Sequence, residues 1–132
     1  MSTFSTLAEA QAYFQGDRFA TTNGMTLDEL TEDGAVCSVT LNENHRNALG
    51  GVMGGVIFTL ADLAFAAASN NDHEGTVALD VNIHFLSAAK GDRLIAAAKR
   101  IKSGRTTSVY EVTVSDDTGR RVALMVGTGY KL

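Results

Sequence analysis

Gly54-Gly-Val-Ile-Phe-Thr-Leu-Ala-Asp-Leu-Ala-Phe-Ala-Ala-Ala-Ser69 is the longest strongly apolar run in the chain, and it carries one charge, Asp62. Ala and Leu favour helix and no Pro interrupts the run. Its apolar positions go all the way round instead of forming a stripe, which predicts a helix wrapped by other elements. Gly54-Gly55 opens it, and Ser69-Asn-Asn-Asp72 closes it with residues that favour caps and turns. Sixteen residues with a carboxylate in the middle make a poor membrane span, which needs about 20 apolar residues. The acid inside this helix is the feature that calls for a function.

Upstream, Thr6-Leu-Ala-Glu9 fits a capping box, in which hydroxyl and carboxylate each satisfy a free amide of the first turn, and predicts a short helix to Phe14. Beyond Gly16-Asp17, residues 18–30 and 35–42 read as two strands around an Asp33-Gly34 hairpin turn. Residues 42–53 form a polar, then Gly-rich, loop into the helix. Downstream, residues 76–87 alternate, with Leu79, Val81, Ile83 and Phe85 on one face and Ala78, Asp80, Asn82 and His84 on the other, so one face should be buried. Short turns then separate strands at 93–102, 105–115 and 120–130, and such tight connections join antiparallel neighbours. The pattern is an α+β domain spanning residues 1–132, in which a curved antiparallel sheet wraps around one long buried helix. A doubly wound parallel sheet is excluded, because helices do not alternate with strands.

The 132 residues suit one domain, and 45% hydrophobic with 20% charged residues is ordinary globular composition. A net charge of -4 gives no general attraction to nucleic acid or anionic membrane. Cys37 stands alone among alternating apolar residues and reads as an inert buried thiol. The N-terminal residues lack the pattern of a secretion signal, which makes the cytoplasm the expected location.

Gly54-Gly55 at a helix start offers free amides and the positive end of the helix dipole, a ready oxyanion site, although the glycines could equally serve close packing. Asp62 in apolar surroundings is costly unless paired or useful, and desolvation should raise its pKa. The alternative is a carboxylate hydrogen-bonded to a neighbouring loop. Gly54 and Asp62 are eight residues apart, about 12 Å along a helix, too far for both to touch one reacting group. If both serve one site, they come from different subunits, and the chain is an obligate dimer with two equivalent sites. Lys99, Arg100, Lys102, Arg105, Arg120 and Arg121 make up six of the eleven basic residues and fall at hairpin ends. They suit either a local phosphate site or a solvated sheet edge. His45, His73 and His84 have no metal-ligand spacing and read as surface or turn residues, so neither a metal nor a cofactor is expected.

Asn47-Ala-Leu-Gly50, Met53-Gly-Gly55 and Leu60-Ala-Asp62 together resemble the hotdog-fold acyl-CoA thioesterases of the phenylacetic-acid-pathway, or PaaI-like, type. That family's pattern is Asn-x-x-Gly-x-x-His-Gly-Gly, then six residues to a helical Asp. Leu79-Asp-Val-Asn-Ile-His-Phe-Leu-Ser-Ala-Ala89 also looks like the family's third strand. The resemblance implies that Asp62 acts as general base or nucleophile, that the Gly54 amide polarises the thioester carbonyl, and that Asn47 positions water or thioester. It implies an acyl-CoA substrate at a subunit interface, with Lys102 and Arg105 near the nucleotide phosphates and Met53, Gly55 and Ala78 lining the substrate site. The implied assembly is a homodimer or a dimer of dimers. Two positions depart from the pattern, because Met53 replaces the family's His and Ala78 a frequent Ser or Thr. A non-hydrolytic acyl-CoA or acyl-carrier binder and an enoyl-thioester hydratase are the competing readings on the same fold.

Overall fold

The structure, a computed structural model, describes residues 2–132. Six antiparallel strands form one sheet in the order β1-β2-β4-β5-β6-β3, comprising β1 (Thr26–Leu30), β2 (Gly34–Thr40), β3 (Thr76–Phe85), β4 (Arg93–Ser103), β5 (Thr107–Asp116) and β6 (Arg121–Lys131). Helix α3 (Gly54–Asp72) packs across the sheet, chiefly against β2, β4 and β5. Two short helices, α1 (Leu7–Phe14) and α2 (Arg18–Thr22), precede the sheet. No helix among the described residues is long and apolar enough to cross a membrane.

The inward residues of the sheet, among them Leu94, Tyr110, Val112, Val114 and Met125, close over Leu60, Ala64 and Phe65 of α3 with no solvent contact or almost none. Phe65 meets Tyr110 edge-on at 5.8 Å, and each fully buried Leu or Phe contributes about 1.5–3 kcal/mol. Cys37 is fully enclosed, and burial pushes its thiol pKa up to about 12, so it packs as an unreactive side chain.

The sheet covers one side of α3 only. Gly55, Phe58, Thr59, Asp62 and Ala66 recur at helical spacing and stay at least partly exposed, so the all-round apolar pattern is not fully enclosed within one copy. The helix also outruns the expected stop at Ser69. The Asn70 amide group donates to the carbonyls of Ala66 and Thr76, and its oxygen accepts from the amides of Gly75 and Thr76. Asn71 binds the Phe4 amide and the Thr31 carbonyl. These side chains clasp helix to neighbouring segments, and their tertiary partners override their preference for turns.

Three further expectations are corrected. Residues 18–30 are not one strand, because Arg18–Thr22 is helical and β1 begins at Thr26. The Thr21 and Thr22 hydroxyls donate to the carbonyls of Asp17 and Arg18, and Ala20 tucks into the core, which anchors the turn. Next, β3 does not bury one regular face. It is one of the sheet's two edges, paired with β6 and not, as the short turn before Arg93 suggested, with β4, because the chain crosses the sheet between Phe85 and Arg93; an extra residue, Leu79, breaks the register between Ala78 and Asp80. The bulge lets Thr76 on one side of it and Val81 and Ile83 on the other face the core, against a strict two-residue alternation. Val77, Leu79 and Phe85 remain exposed. Finally, of the surface or turn reading of His45 only the turn holds, since it ends a 3-10 turn but is 1% exposed. At the N-terminus, the Thr6 hydroxyl accepts from the Glu9 amide but the Glu9 carboxylate makes no return bond among the described residues, so only half of the expected capping box forms; α1 ends at Phe14 as expected.

Candidate active site

The loop before α3 is built on His45. A 3-10 turn, Glu43–His45, lets the Asn42 amide donate to His45 Nδ1 at 3.0 Å, so the ring proton sits on Nε2 and is donated to the Asn23 carbonyl at 2.8 Å. The His45 carbonyl accepts from the Met53 amide at 2.9 Å, fixing the residue from which the helix starts. Asn47 closes the next turn. Its side-chain oxygen accepts from the amides of Leu49 and Gly51 at 3.0 and 3.1 Å, and Gly50 takes the φ of +87° that this tight ring requires. The Asn47 Nδ2 group makes no hydrogen bond among the described residues, and Asn47 is exposed.

Met53 supplies no side-chain cap, and the first amides bonded to its carbonyl are those of Val56 and Ile57. The amides of Gly54 and Gly55 have no acceptor among the described residues, and the helix dipole adds partial positive charge there. A Cβ on Gly54 would lie 3.3 Å from Phe85 Cζ, so that ring would have to give by a few tenths of an ångström. Asn47, Gly51, Gly54, Phe85 and Ser87 line one cleft of ≈ 560 Å³.

Asp62 lies two turns on, about 12 Å along the axis and about 80° round it. It opens into a different cleft of ≈ 290 Å³, walled by Asp17, Arg18, Phe19, Thr59 and Leu63. The carboxylate is half-buried and has neither hydrogen bond nor ion pair among the described residues. Burial, and secondarily the Asp17 carboxylate, raise its pKa above the usual carboxylate range. Within one copy, therefore, the structure separates Gly54 and Asn47 from Asp62. The arrangement couples an unpaired, basic carboxylate on one side with free oxyanion donors on the other, the parts needed to hydrolyse a carbonyl ester.

Residues 49–123 match the model of the Thioesterase superfamily, more than half of the chain. The chain belongs to the thioesterase superfamily. This thioesterase is 32% identical over 124 residues to acyl-coenzyme A thioesterase PaaI of Escherichia coli, spanning 93% of this chain and 89% of that protein. Its fold superposes on the structure of the E. coli PaaI protein from the phenylacetic acid degradation operon with a TM-score of 0.88 at 31% identity, covering 93% and 90% of the two chains. The TT0310 protein of Thermus thermophilus gives a TM-score of 0.83 at 32% identity, covering 88% and 98%. The PaaI-like family and the hotdog fold expected from the motif are both borne out.

The other expected site residues of the thioesterase are dispersed. Met53 and Gly55 line a third cleft of ≈ 360 Å³ with Phe19, Met25, Val56 and Phe58. Ala78 is exposed on the edge strand beside the bulge, in none of these clefts. Lys102 and Arg105 are exposed at the β4–β5 hairpin, beside the C-terminal end of α3, where Arg100 and Lys131 pair with Asp72 at 3.2 and 3.5 Å. Arg120 and Arg121 lie at the other end of the sheet, next to the segment of β6 that pairs with Phe85. The basic residues are thus two groups and not one cluster, because successive hairpins of a meander point to opposite ends of the sheet. Sequence reasoning passed over Asp17 and Phe19, which nothing local connects to Asp62.

Proposed function

We propose that this thioesterase hydrolyses acyl-CoA to free acid and coenzyme A at two equivalent sites, each shared between two copies of the chain. The observation that carries this reading is the split of free Gly54 amide and unpaired Asp62 between separate clefts of one helix. Asp62 takes a proton from water as the water oxygen attacks the thioester carbonyl. The developing oxyanion is held by the Gly54 amide of the partner subunit, with the unoccupied Asn47 Nδ2 placed to orient thioester or water. Collapse breaks the C–S bond, and the proton on Asp62 passes to the departing sulfur.

Pairing of the two free β3 edges about a two-fold axis supports this assembly, since it covers Val77, Leu79 and Phe85 and continues the sheet. Antiparallel pairing also carries the β4–β5 hairpin of each copy to the Gly54 end of the other. Lys102 and Arg105 then face the phosphates of coenzyme A across the interface, and Ala78 joins the substrate wall. The dimer, or a dimer of such dimers, is the working unit, and a reducing cytoplasm suits its single buried thiol.

Purified protein offered phenylacetyl-, hydroxybenzoyl- and octanoyl-CoA releases thiol above background with at least one of them. Release from none overturns the reading. The pH profile follows from the shift at Asp62. Removing the neighbouring negative charge in Asp17→Asn eases ionisation of Asp62, lowers its pKa, and moves the acid limb of kcat/KM to lower pH. A limb that stays in place, or moves upward, shows that Asp17 does not act on the base.

A further inference from the structure

The connection from β3 to β4, residues 86–92, spans the ends of β6 and β5 and is held at each. At β6, the amides of Leu86 and Ser87 donate to the Val122 carbonyl at 2.8 and 3.3 Å. At β5, the amides of Lys90 and Gly91 donate to Oδ2 of Asp116, the last residue of that strand, at 2.7 and 3.2 Å. Between these anchors Ala88 and Ala89 make no backbone hydrogen bond among the described residues. Leu86, Ser87, Ala88 and Ala89 form one wall of the cleft that also holds Asn47 and Gly54. Leu86, Ala88 and Lys90 are exposed, so hydrogen bonds at the two ends, more than packing, set the place of this wall. Asp116 itself is 2% exposed and divides its oxygens. Oδ1 accepts from the Thr118 amide at 3.0 Å, the Arg120 amide at 3.1 Å and the Thr118 hydroxyl, closing its own turn, while Oδ2 is left to the connection. The Thr118 hydroxyl first, and the Lys90 amide next, hold the Asp116 carboxyl well below the usual carboxylate range, so it stays charged. Beside it, Asp117 Oδ1 accepts from the Asp92 amide at 3.0 Å, and a Cβ on Gly91 would run into that oxygen.

We propose that Asp116 is a positioning residue for the Gly54 cleft, holding one end of its Ser87, Ala88 and Ala89 wall so that the cleft keeps the width at which substrate reaches the Gly54 amide. The inference rests on the acyl-CoA reading and adds to it a residue that touches neither substrate nor reacting atoms. A turn alone needs only Oδ1. Spending Oδ2 on amides 25 and 26 residues earlier in the chain fixes the connection, and with it the wall. Once released from Oδ2, the wall gains conformations that substrate must remove again, at about tenfold in affinity for each residue fixed anew. The Gly54 amide and Asp62 stay where they are, so binding weakens and the chemical step does not.

The test is the division of effect between KM and kcat in thiol release. In Asp116→Asn the side chain keeps its shape but has a single acceptor oxygen, and whichever way the amide turns, its NH₂ group meets backbone donors. This variant should raise KM for the acyl-CoA about tenfold and leave kcat within about twofold. Gly91→Ala displaces the same end of the wall without altering Asp116 and should give the same division. Removing the obstruction should then reverse it, with KM of Gly91→Ala/Asp117→Ala within about twofold of Asp117→Ala alone, a rescue that a general loss of stability would not produce. An unchanged KM in both single variants, a fall in kcat at constant KM, or a double variant no better than Gly91→Ala overturns the proposal. Should Asp116→Asn not fold, the Gly91 series decides by itself. Absence of thiol release by wild type with any thioester would instead overturn the hydrolase reading, and dissociation constants of the S-hexyl-CoA thioether, which cannot be hydrolysed, measured by calorimetry on the same proteins, would still decide the role of Asp116.

Discussion

An Asp62→Asn variant loses about 10²- to 10⁴-fold in kcat for thiol release, the range expected when a general base is removed, while KM for the acyl-CoA changes little. Asn keeps the shape of the side chain but cannot accept a proton from water. The fold should not suffer. Asp62 makes no hydrogen bond or ion pair among the described residues, and its raised pKa means that the folded chain disfavours the charged form. Replacing it with a neutral group therefore leaves the melting temperature unchanged or slightly higher, which separates loss of chemistry from loss of structure. A variant that keeps the wild-type rate would remove Asp62 from the mechanism.

Gly54→Pro should lower kcat by about 10²- to 10³-fold, the usual cost of losing one oxyanion donor. Proline has no amide proton, but Gly54 is the first helical residue, where proline is well tolerated, so the helix should survive once Phe85 yields slightly to the ring. Mixing this variant with Asp62→Asn tests the shared site directly. In a mixed dimer one site combines the intact Gly54 of one copy with the intact Asp62 of the other, and the second site has neither. Random reassortment makes about half the dimers mixed, each with one working site of two, so about a quarter of wild-type activity returns. Recovery is measured by thiol release after the two variants are unfolded and refolded together. A mixture no more active than its components would place both groups of a site within one copy.

Much of the fold was legible because local patterns and tertiary needs agreed. The hairpin at Asp33-Gly34, the β4–β5 and β5–β6 hairpins and the apolar run from Gly54 each have one comfortable conformation and are found as expected, whereas β3 and β4, expected as neighbours across a short turn, lie apart in the sheet. Legibility failed where a distant partner decided the outcome. The Asn70 and Asn71 side chains look like helix stops but are consumed by the Thr76, Phe4 and Thr31 backbones, so α3 continues to Asp72. His45 looks like a surface turn, yet the Asn23 carbonyl, 22 residues away in the chain, captures its ring in the interior. The bulge at Leu79 leaves no local mark, because pairing with β6 creates it.

The same division runs through the candidate site. The sequence alone determined the helix, the free amides at its start, the acid two turns along it, and their axial separation, because the rise of a helix is set by backbone hydrogen bonding and not by context. Only the tertiary structure decided that Gly54 and Asp62 open into different clefts, that Asp17 adds its charge to the Asp62 environment, and that Phe19 walls that cleft. These are contacts between segments some 40 residues apart, and their geometry depends on how α2 and the loop built on His45 pack against α3.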